Sequence, residues 1–215
     1  MTYAISIAEP LAYATVDDLR AQVEAELDRD DITDDDWRST LQLVETYLNR
    51  TLRHPQMEKV TGVAVADGVG LLPADFLAMR ALYDANRTSL PSVDAVSMVE
   101  TPIGGRKVCS IVGEQLLVAP QSTEAVTLIY YSKIPRLTVN DQSNWVLENH
   151  ADVYFFGCLM YLSSRIGDND SGAVEKWRTA FGQSVGELEE FGKRRRFGGP
   201  LLQRSNVRQV RGALC

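Results

Sequence analysis

The 215-residue sequence has few residues of the types that carry metal or nucleophilic chemistry. It contains two histidines, His54 and His150, and three cysteines, Cys109, Cys158 and Cys215, all far apart. No pair among them has the spacing of metal ligands, so a zinc site is not expected. An odd number of scattered cysteines favours reduced thiols in a protein made in a cytoplasm.

Motifs of known catalytic and ion-binding sites are also missing. An EF-hand loop beginning at Asp28 would need glycine at its sixth position and glutamate at its twelfth, where the chain has Thr33 and Ser39. The sequence contains no phosphate-binding glycine loop, no complete dinucleotide fingerprint and no Gly-x-Ser-x-Gly nucleophile elbow. We therefore expect neither an enzyme nor a cofactor.

Long apolar runs are absent as well. No run approaches the roughly 20 residues of a membrane-spanning helix. The first ten residues, MTYAISIAEP, lack the basic region and the long apolar core of a signal peptide. With 45% hydrophobic and 24% charged residues, the composition is typical of a globular protein, and no membrane partner is expected.

Charge, in contrast, is present and unevenly distributed. The net charge is −7, yet no acidic residue follows Glu190. Residues 193–215 contain seven cations: Lys193, Arg194, Arg195, Arg196, Arg204, Arg208 and Arg211. The other 15 basic residues stand against all 29 acidic ones, so residues 1–192 carry a net charge of −14.

Two amphipathic helices are predicted near the start of the chain. Thr15 and Thr33 are suitable N-caps, and acidic residues after each of them interact favourably with a helix dipole. Apolar residues then recur at nearly helical spacing: Leu19, Val23 and Leu27 in the first segment, and Trp37, Leu41, Val44, Leu48 and Leu52 in the second. We expect an antiparallel helical hairpin over residues 1–54.

The period of the pattern changes after Pro55. Short β-branched or aromatic runs, separated by glycine, proline and asparagine, predict strands. Gly113 and Glu114 are typical of a hairpin turn between two of these runs. Residues 92–100 favour one short helix. We therefore expect residues 55–135 to form a small β module inserted between helices.

Helical periodicity returns at Asn144, a suitable cap for a helix continuing to Gly167. Residues 153–162 of this helix are apolar on nearly every side, so more than one neighbour must cover them. In the last helix, Gly182 and Gly186 lie one turn apart, which favours the close approach of another helix at a cost in helix propensity.

The predicted fold is α+β and mainly α. It has a four-helix body of two N-terminal and two C-terminal helices, with residues 136–192 completing the body, an inserted β module and an extended basic tail over residues 193–215. Contacts between subunits are expected to involve five residues: Tyr154, Phe156, Met160, Gly182 and Gly186.

Three interpretations of the basic tail are open. Blocks of like charge are often solvated termini. Arginines also neutralise DNA phosphates, as in a DNA-binding regulator or packaging factor, although a body of charge −14 would be repelled by DNA. The third interpretation is docking into another protein, which is favoured because apolar residues such as Phe197, Leu201 and Leu202 alternate with the arginines.

Residues 128–170, LIYYSKIPRLTVNDQSNWVLENHADVYFFGCLMYLSSRIGDND, followed by EKWRTAFGQSVGELEEF, resemble the head–tail adaptor (connector, or head-completion) proteins of tailed bacteriophages. The resemblance depends on packing residues: Tyr130, Tyr131, Ile134, Pro135, Leu137, Asn144, Trp145, Tyr154, Trp177 and Phe181. It covers most of the chain, and the N-terminal half matches in arrangement more than in motif.

The resemblance implies a structural virion protein at the head–tail junction. Its subunits would form a dodecameric ring beneath the portal protein, receive the tail or nozzle protein, and let DNA pass during genome ejection without binding it specifically. The C-terminal segment would fix the ring to the portal. The residues expected to dock are Lys193, Arg194, Arg195, Arg196, Phe197, Leu201, Leu202, Arg204, Arg208 and Arg211.

Overall fold

The computed structural model describes residues 15–100, 106–138, 141–166 and 171–196. Its helices are α1 (Val16–Leu27), α2 (Asp34–Thr51), α3 (Ala95–Glu100), α4 (Trp145–Asn149), α5 (Ala151–Ile166) and α6 (Ser171–Arg196). Its strands are β1 (Glu58–Val63), β2 (Val65–Ala66), β3 (Val69–Leu71), β4 (Phe76–Tyr83), β5 (Val108–Val112), β6 (Gln115–Ala119) and β7 (Val126–Ser132). A 3-10 turn, Pro55–Met57, connects α2 to β1.

Local capping explains where the first two helices begin. Thr15 forms a capping box with Asp18, and the Thr33 hydroxyl accepts the backbone N–H of Asp36 at 3.2 Å. Both helices pack mainly on α5. Arg20 of α1 links the two helices, because its guanidinium pairs with Asp34 at the start of α2 at 2.6 Å and donates to the carbonyl of Ile32 at 2.7 Å.

Helix α5 lies at the centre of the helical body. Helices α1, α2, α4 and α6 all pack against it, which confirms that several neighbours cover its apolar circumference. Helices α2, α5 and α6 come close together at Gly157, where an added Cβ would lie 3.0 Å from both Phe181 of α6 and Val44 of α2. A side chain at this position would push the two flanking helices apart.

The α+β class is confirmed, and the described residues contain six helices. Helix α3 lies within residues 92–100, the range predicted to form a short helix of the β module. One helix more than predicted, α4, exists because the predicted helix from Asn144 is interrupted at His150, whose backbone angles are φ −145° and ψ 53°. The His150 carbonyl then accepts the N–H of Val153, and its ring contacts the edge of Phe191 in α6. No glycine or proline lies next to His150 in the sequence to predict this break.

Seven strands form two antiparallel sheets. The first sheet has the order β1-β7-β4, and the second has the order β2-β3-β6-β5. The predicted hairpin between β5 and β6 is present, and Gly113 in its turn has φ +61°, a conformation that favours glycine. Strand β7 lies at the centre of the first sheet, so its backbone pairs with a strand on each side.

Two apolar cores result from this arrangement. Tyr130 of β7 packs between the sheets with Leu82 and Leu116, whereas Tyr131 packs in the helical core. Successive residues of a strand point to opposite faces, which explains why neighbouring tyrosines belong to different cores. The first sheet is therefore the layer between the helical body and the second sheet.

The connection from β7 to α4 depends on side-chain hydrogen bonds. The backbone N–H groups of Ile134 and Leu137 donate to the side chains of Asn49 (2.9 Å) and Glu45 (2.7 Å) in α2. Asn144 donates to the carbonyl of Pro135 at 2.8 Å, and its side-chain oxygen caps α4. These side chains hydrogen-bond backbone groups of a segment that belongs to neither a sheet nor a helix.

Burial raises the pKa of Glu45 to about 7, although its hydrogen bond from Leu137 favours the ionised form. A carboxyl group with a raised pKa contributes stability below its unfolded value, near 4.5, and this contribution is lost as the pH rises through 7. We predict that Glu45→Gln equals the wild type in unfolding free energy at pH 4.5 and exceeds it by about 3 kcal/mol at pH 8. Denaturant titrations across this range measure the difference.

The exposed Glu187→Gln serves as the control for the loss of one negative charge. A difference between Glu45→Gln and wild type that does not change with pH would contradict the prediction.

Candidate functional site

The end of α6 meets the rest of the chain where α2 leads into β1. Helix α6 has 26 residues and continues through Arg196, so the first four residues of the predicted extended tail, Lys193 to Arg196, belong to the helix. Cations in the last turn interact favourably with the negative end of the helix dipole. Lys193 also pairs with Glu190, one turn earlier, at 2.7 Å.

Arg196 makes the principal polar contacts of this helix end. Its Nη2 atom donates to Glu58 Oε1 at 2.8 Å, to the Tyr131 hydroxyl at 2.8 Å and to the Arg53 carbonyl at 3.3 Å. The guanidinium also lies over the Tyr131 ring, 5.8 Å from its centroid. Glu58 Oε2 accepts a second arginine, Arg80 of β4. We call Arg196, Glu58, Tyr131 and the Arg53 carbonyl the α6 anchor.

The α6 anchor is partly shielded from water. The side chains of Glu58 and Arg196 are 18% and 26% exposed, so their ion pair is screened less than the surface pairs of the chain. The planar guanidinium contacts a carboxylate, a hydroxyl, a carbonyl and a ring at the same time. The ammonium group of a lysine does not make this set of contacts. The anchor thus fixes the last turn of α6 to β1 and β7.

A stack of rings lies beside the anchor. The buried His54 ring stacks on Trp145 of α4 at 4.9 Å between centroids and faces Phe191 of α6 at 6.4 Å. An added Cβ at Gly192 would lie 2.4 Å from His54, so α6 reaches this position only because residue 192 has no side chain.

Electrostatics keep the His54 ring neutral. Burial first, and then the nearby His150, Arg195 and Arg196, lower the pKa of His54 to about 4. A neutral ring costs less to bury between Trp145 and Phe191 than an imidazolium would. His54 therefore packs as an aromatic residue at pH 7.

Three of the predicted docking cations lie on the outer side of the α6 end. Lys193, Arg194 and Arg195 are exposed, and Arg195 lies 6.0 Å from the centroid of the exposed Phe191 ring. An open groove of about 840 Å³ runs past Gly186, Phe191 and Arg194. This surface therefore combines positive charge with an accessible aromatic ring.

The other predicted docking residues lie outside the residues that the structure describes. They are Phe197, Leu201, Leu202, Arg204, Arg208 and Arg211. Arg196, the last described residue of α6, is engaged within the chain.

The residues expected at subunit contacts fall into three groups. Tyr154 is completely buried in the helical core, where its hydroxyl accepts a hydrogen bond from Asn144, so it does not reach the surface. Phe156 and Met160 are half-buried. Gly182 and Gly186 are exposed, and an added Cβ would meet nothing within 4 Å at either position. No helix of the chain packs on these two glycines within the described residues.

The α6 anchor was not found by reasoning from the sequence. Arg196 is 138 residues from Glu58 and 65 residues from Tyr131 along the chain. No local spacing connects residues so far apart. One feature of the sequence indicates that α6 packs closely here. Gly192 is a glycine inside a helix, which often marks a close contact.

No group of three or more His, Cys, Asp or Glu side chains is arranged to hold a metal ion in the described part of the chain. None of its described helices is both long enough and apolar enough to cross a membrane.

Comparison with known proteins identifies the family. A comparison with curated proteins found no match for this chain. A family model described as SU10 adaptor protein matches residues 14–204, which include both helical segments, the β module and most of the basic segment. The chain therefore belongs to the SU10 adaptor protein family, a family of phage head–tail adaptors.

Proposed function

We propose that the protein is a structural component of the virion that forms a dodecameric ring between the portal and the tail of a phage. Membership of a phage adaptor family supports a structural role at the head–tail junction and assembly with other head and tail proteins. The single observation that carries the finer proposal is the basic end of α6, from which the cationic segment 197–215 continues.

The basic end is the surface that we assign to the portal. Lys193, Arg194 and Arg195 lie outward on an ordered helix, and three more arginines follow in residues 197–215. Arginine holds carboxylates bidentately, which fits acidic groups on a portal protein. One exposed ion pair contributes at most about 1 kcal/mol, so docking requires several pairs with apolar residues, repeated around a ring.

The acidic body fits a DNA conduit. Residues 1–192 carry a net charge of −14, and a negative surface does not hold a passing duplex. DNA is therefore proposed to pass through the ring without specific binding.

We assign the lateral contacts of the ring to the outer face of α6 and the half-buried Phe156 and Met160. Gly182 and Gly186 lower helix propensity without permitting any close contact within the described chain. A neighbouring subunit that packs on them would explain why glycine stands there. The groove past Gly186 and the exposed Phe191 continues this face.

We assign the tail protein to the outer face of the second sheet. Leu71, Gln115 and Val112 form a row across β3, β6 and β5, and Leu71 and Val112 are 72% and 48% exposed. Val69 and Leu117 form the next row of the same face. An aliphatic surface of this kind is typical of a protein contact. The first sheet lies between this surface and the helical body.

Truncation tests the portal assignment. A chain that ends after Arg196 keeps the α6 anchor, so we predict that it remains folded and soluble but no longer joins portal-containing heads. A chain that ends after Gly192 should also lose the joining reaction, and its free energy of unfolding should fall by about 1 kcal/mol because Arg196 is missing. Circular dichroism and co-sedimentation with heads measure the two effects.

Two results would contradict the portal assignment. Normal joining by the chain that ends after Arg196 would make segment 197–215 a solvated terminus. Tight, steeply salt-dependent binding of the free protein to duplex DNA, lost in the same truncation, would favour the DNA-binding alternative.

Substitution of the exposed glycines tests the ring. We predict that Gly186→Ala raises the free energy of unfolding by up to about 1 kcal/mol, because alanine favours the helix and meets no neighbour. Gly186→Trp should also fold, yet it should prevent ring formation on the portal by filling the space of the adjacent subunit. Imaging of assembled particles that contain each variant decides the outcome, and normal rings with Gly186→Trp would refute this contact.

Charge on the aliphatic sheet face tests the tail assignment. We predict that Leu71→Glu together with Val112→Glu leaves the fold and portal joining unchanged but reduces tail attachment, since buried carboxylates would have no partner. Val60→Glu is the matched control, because Val60 is an exposed aliphatic residue of β1 in the other sheet. Tail attachment, counted by electron microscopy, should fall only for the double variant.

A further inference from the structure

We propose that Arg196 and Glu58 are positioning residues that fix where segment 197–215 leaves the body, and that Arg196 is not itself a docking cation. The inference rests on the proposed docking of that segment to the portal. It separates Arg196, which is held by contacts within the chain, from the exposed Arg194 and Arg195, which remain accessible to a partner.

The first observation that supports this proposal is the geometry of the α6 anchor. Arg196 is the last described residue of α6, and its side chain lies directly beside Glu58 of β1. Its guanidinium is engaged by Glu58, by the Tyr131 hydroxyl and by the Arg53 carbonyl, and it also lies over the Tyr131 ring. The neighbouring cations differ, since Arg194 and Arg195 are exposed at the outer side of the helix.

The second observation that supports the proposal is the close packing of α6 at Gly192. Helix α6 passes so near His54 that only glycine fits, and Phe191 covers the same ring. The helix is therefore held on the body at two successive turns, at Gly192 and at Arg196. Chain ends are poorly ordered unless they are tied down in this way.

Fixing the end of α6 has a consequence for docking. If the last four helical residues were released, the start of the segment would move within about 14 Å, the extended length of four residues. Such freedom lowers the effective concentration of the segment at its site, and the loss is repeated at every subunit of a ring. An anchored end thus strengthens docking although the anchor touches no partner.

Glu58→Gln separates positioning from charge, because it keeps every cation of residues 193–215 and removes one negative charge beside them. Docking by charge alone would be unchanged or stronger in this variant. Positioning predicts the opposite result: weaker joining to portal-containing heads and faster amide hydrogen exchange at the end of α6. We expect roughly tenfold faster exchange, as for the loss of one hydrogen bond to a charged group.

Three further variants complete the experiment on the full chain. Arg80→Gln is the matched control, because it removes the other arginine of Glu58 while the contact with Arg196 stays, so exchange and joining should equal those of wild type. Arg196→Lys keeps the charge but loses the planar contacts, so it should behave like Glu58→Gln. Arg195→Gln should weaken joining without any change in exchange.

The two readouts distinguish the ways in which the proposal can fail. Unchanged exchange in Glu58→Gln would show that no anchor holds the helix end, and faster exchange with wild-type joining would show that the anchor does not position the segment. Either result overturns the inference. If the chain that ends after Arg196 joins heads normally, the docking function itself is wrong, and the role of Arg196 and Glu58 in positioning that segment is overturned with it.

Discussion

The structure depends on how the backbone of residues 133–138 is hydrogen-bonded. This segment leaves the central strand β7 and crosses to the helices without belonging to either. Glu45 and Asn49 accept its N–H groups from α2, and Asn144 donates to its Pro135 carbonyl. Because unpaired buried backbone groups are costly, these three side chains set the position of the β module against the helical body. That position in turn places Glu58 and Tyr131 beside the end of α6.

Two buried titratable groups, Glu45 and His54, have opposite responses to pH. Glu45 has a raised pKa, so its contribution to stability is lost as the pH rises from about 4.5 through 7. His54 has a pKa lowered to about 4, so its contribution is lost as the pH falls from 6.5 through 4. The two windows overlap and the two effects have opposite signs. Their sum therefore changes much less across this range than either term alone.

Intramolecular packing also decides which surfaces remain for partners. The apolar stretch of α5 is covered by four helices of the same chain, and Tyr154 lies in their core. Accessible surfaces include the glycine face of α6, the cations at its end and the aliphatic side of the second sheet. The first two adjoin along α6 and the third lies in the second sheet, which suits a protein that joins several neighbours in one assembly.

The sequence by itself determined the elements that depend on neighbours along the chain. The caps at Thr15, Thr33 and Asn144, the hairpin at Gly113 and the change of period at Pro55 all follow from local geometry, and so does the basic character of residues 193–215. Tertiary structure alone decided the break at His150, the helical state of Lys193 to Arg196 and the contact of Arg196 with Glu58. Each of these arises from residues that are distant along the chain and adjacent in space. Periodicity and composition do not predict such pairs, because the packing of the whole chain determines which residues meet.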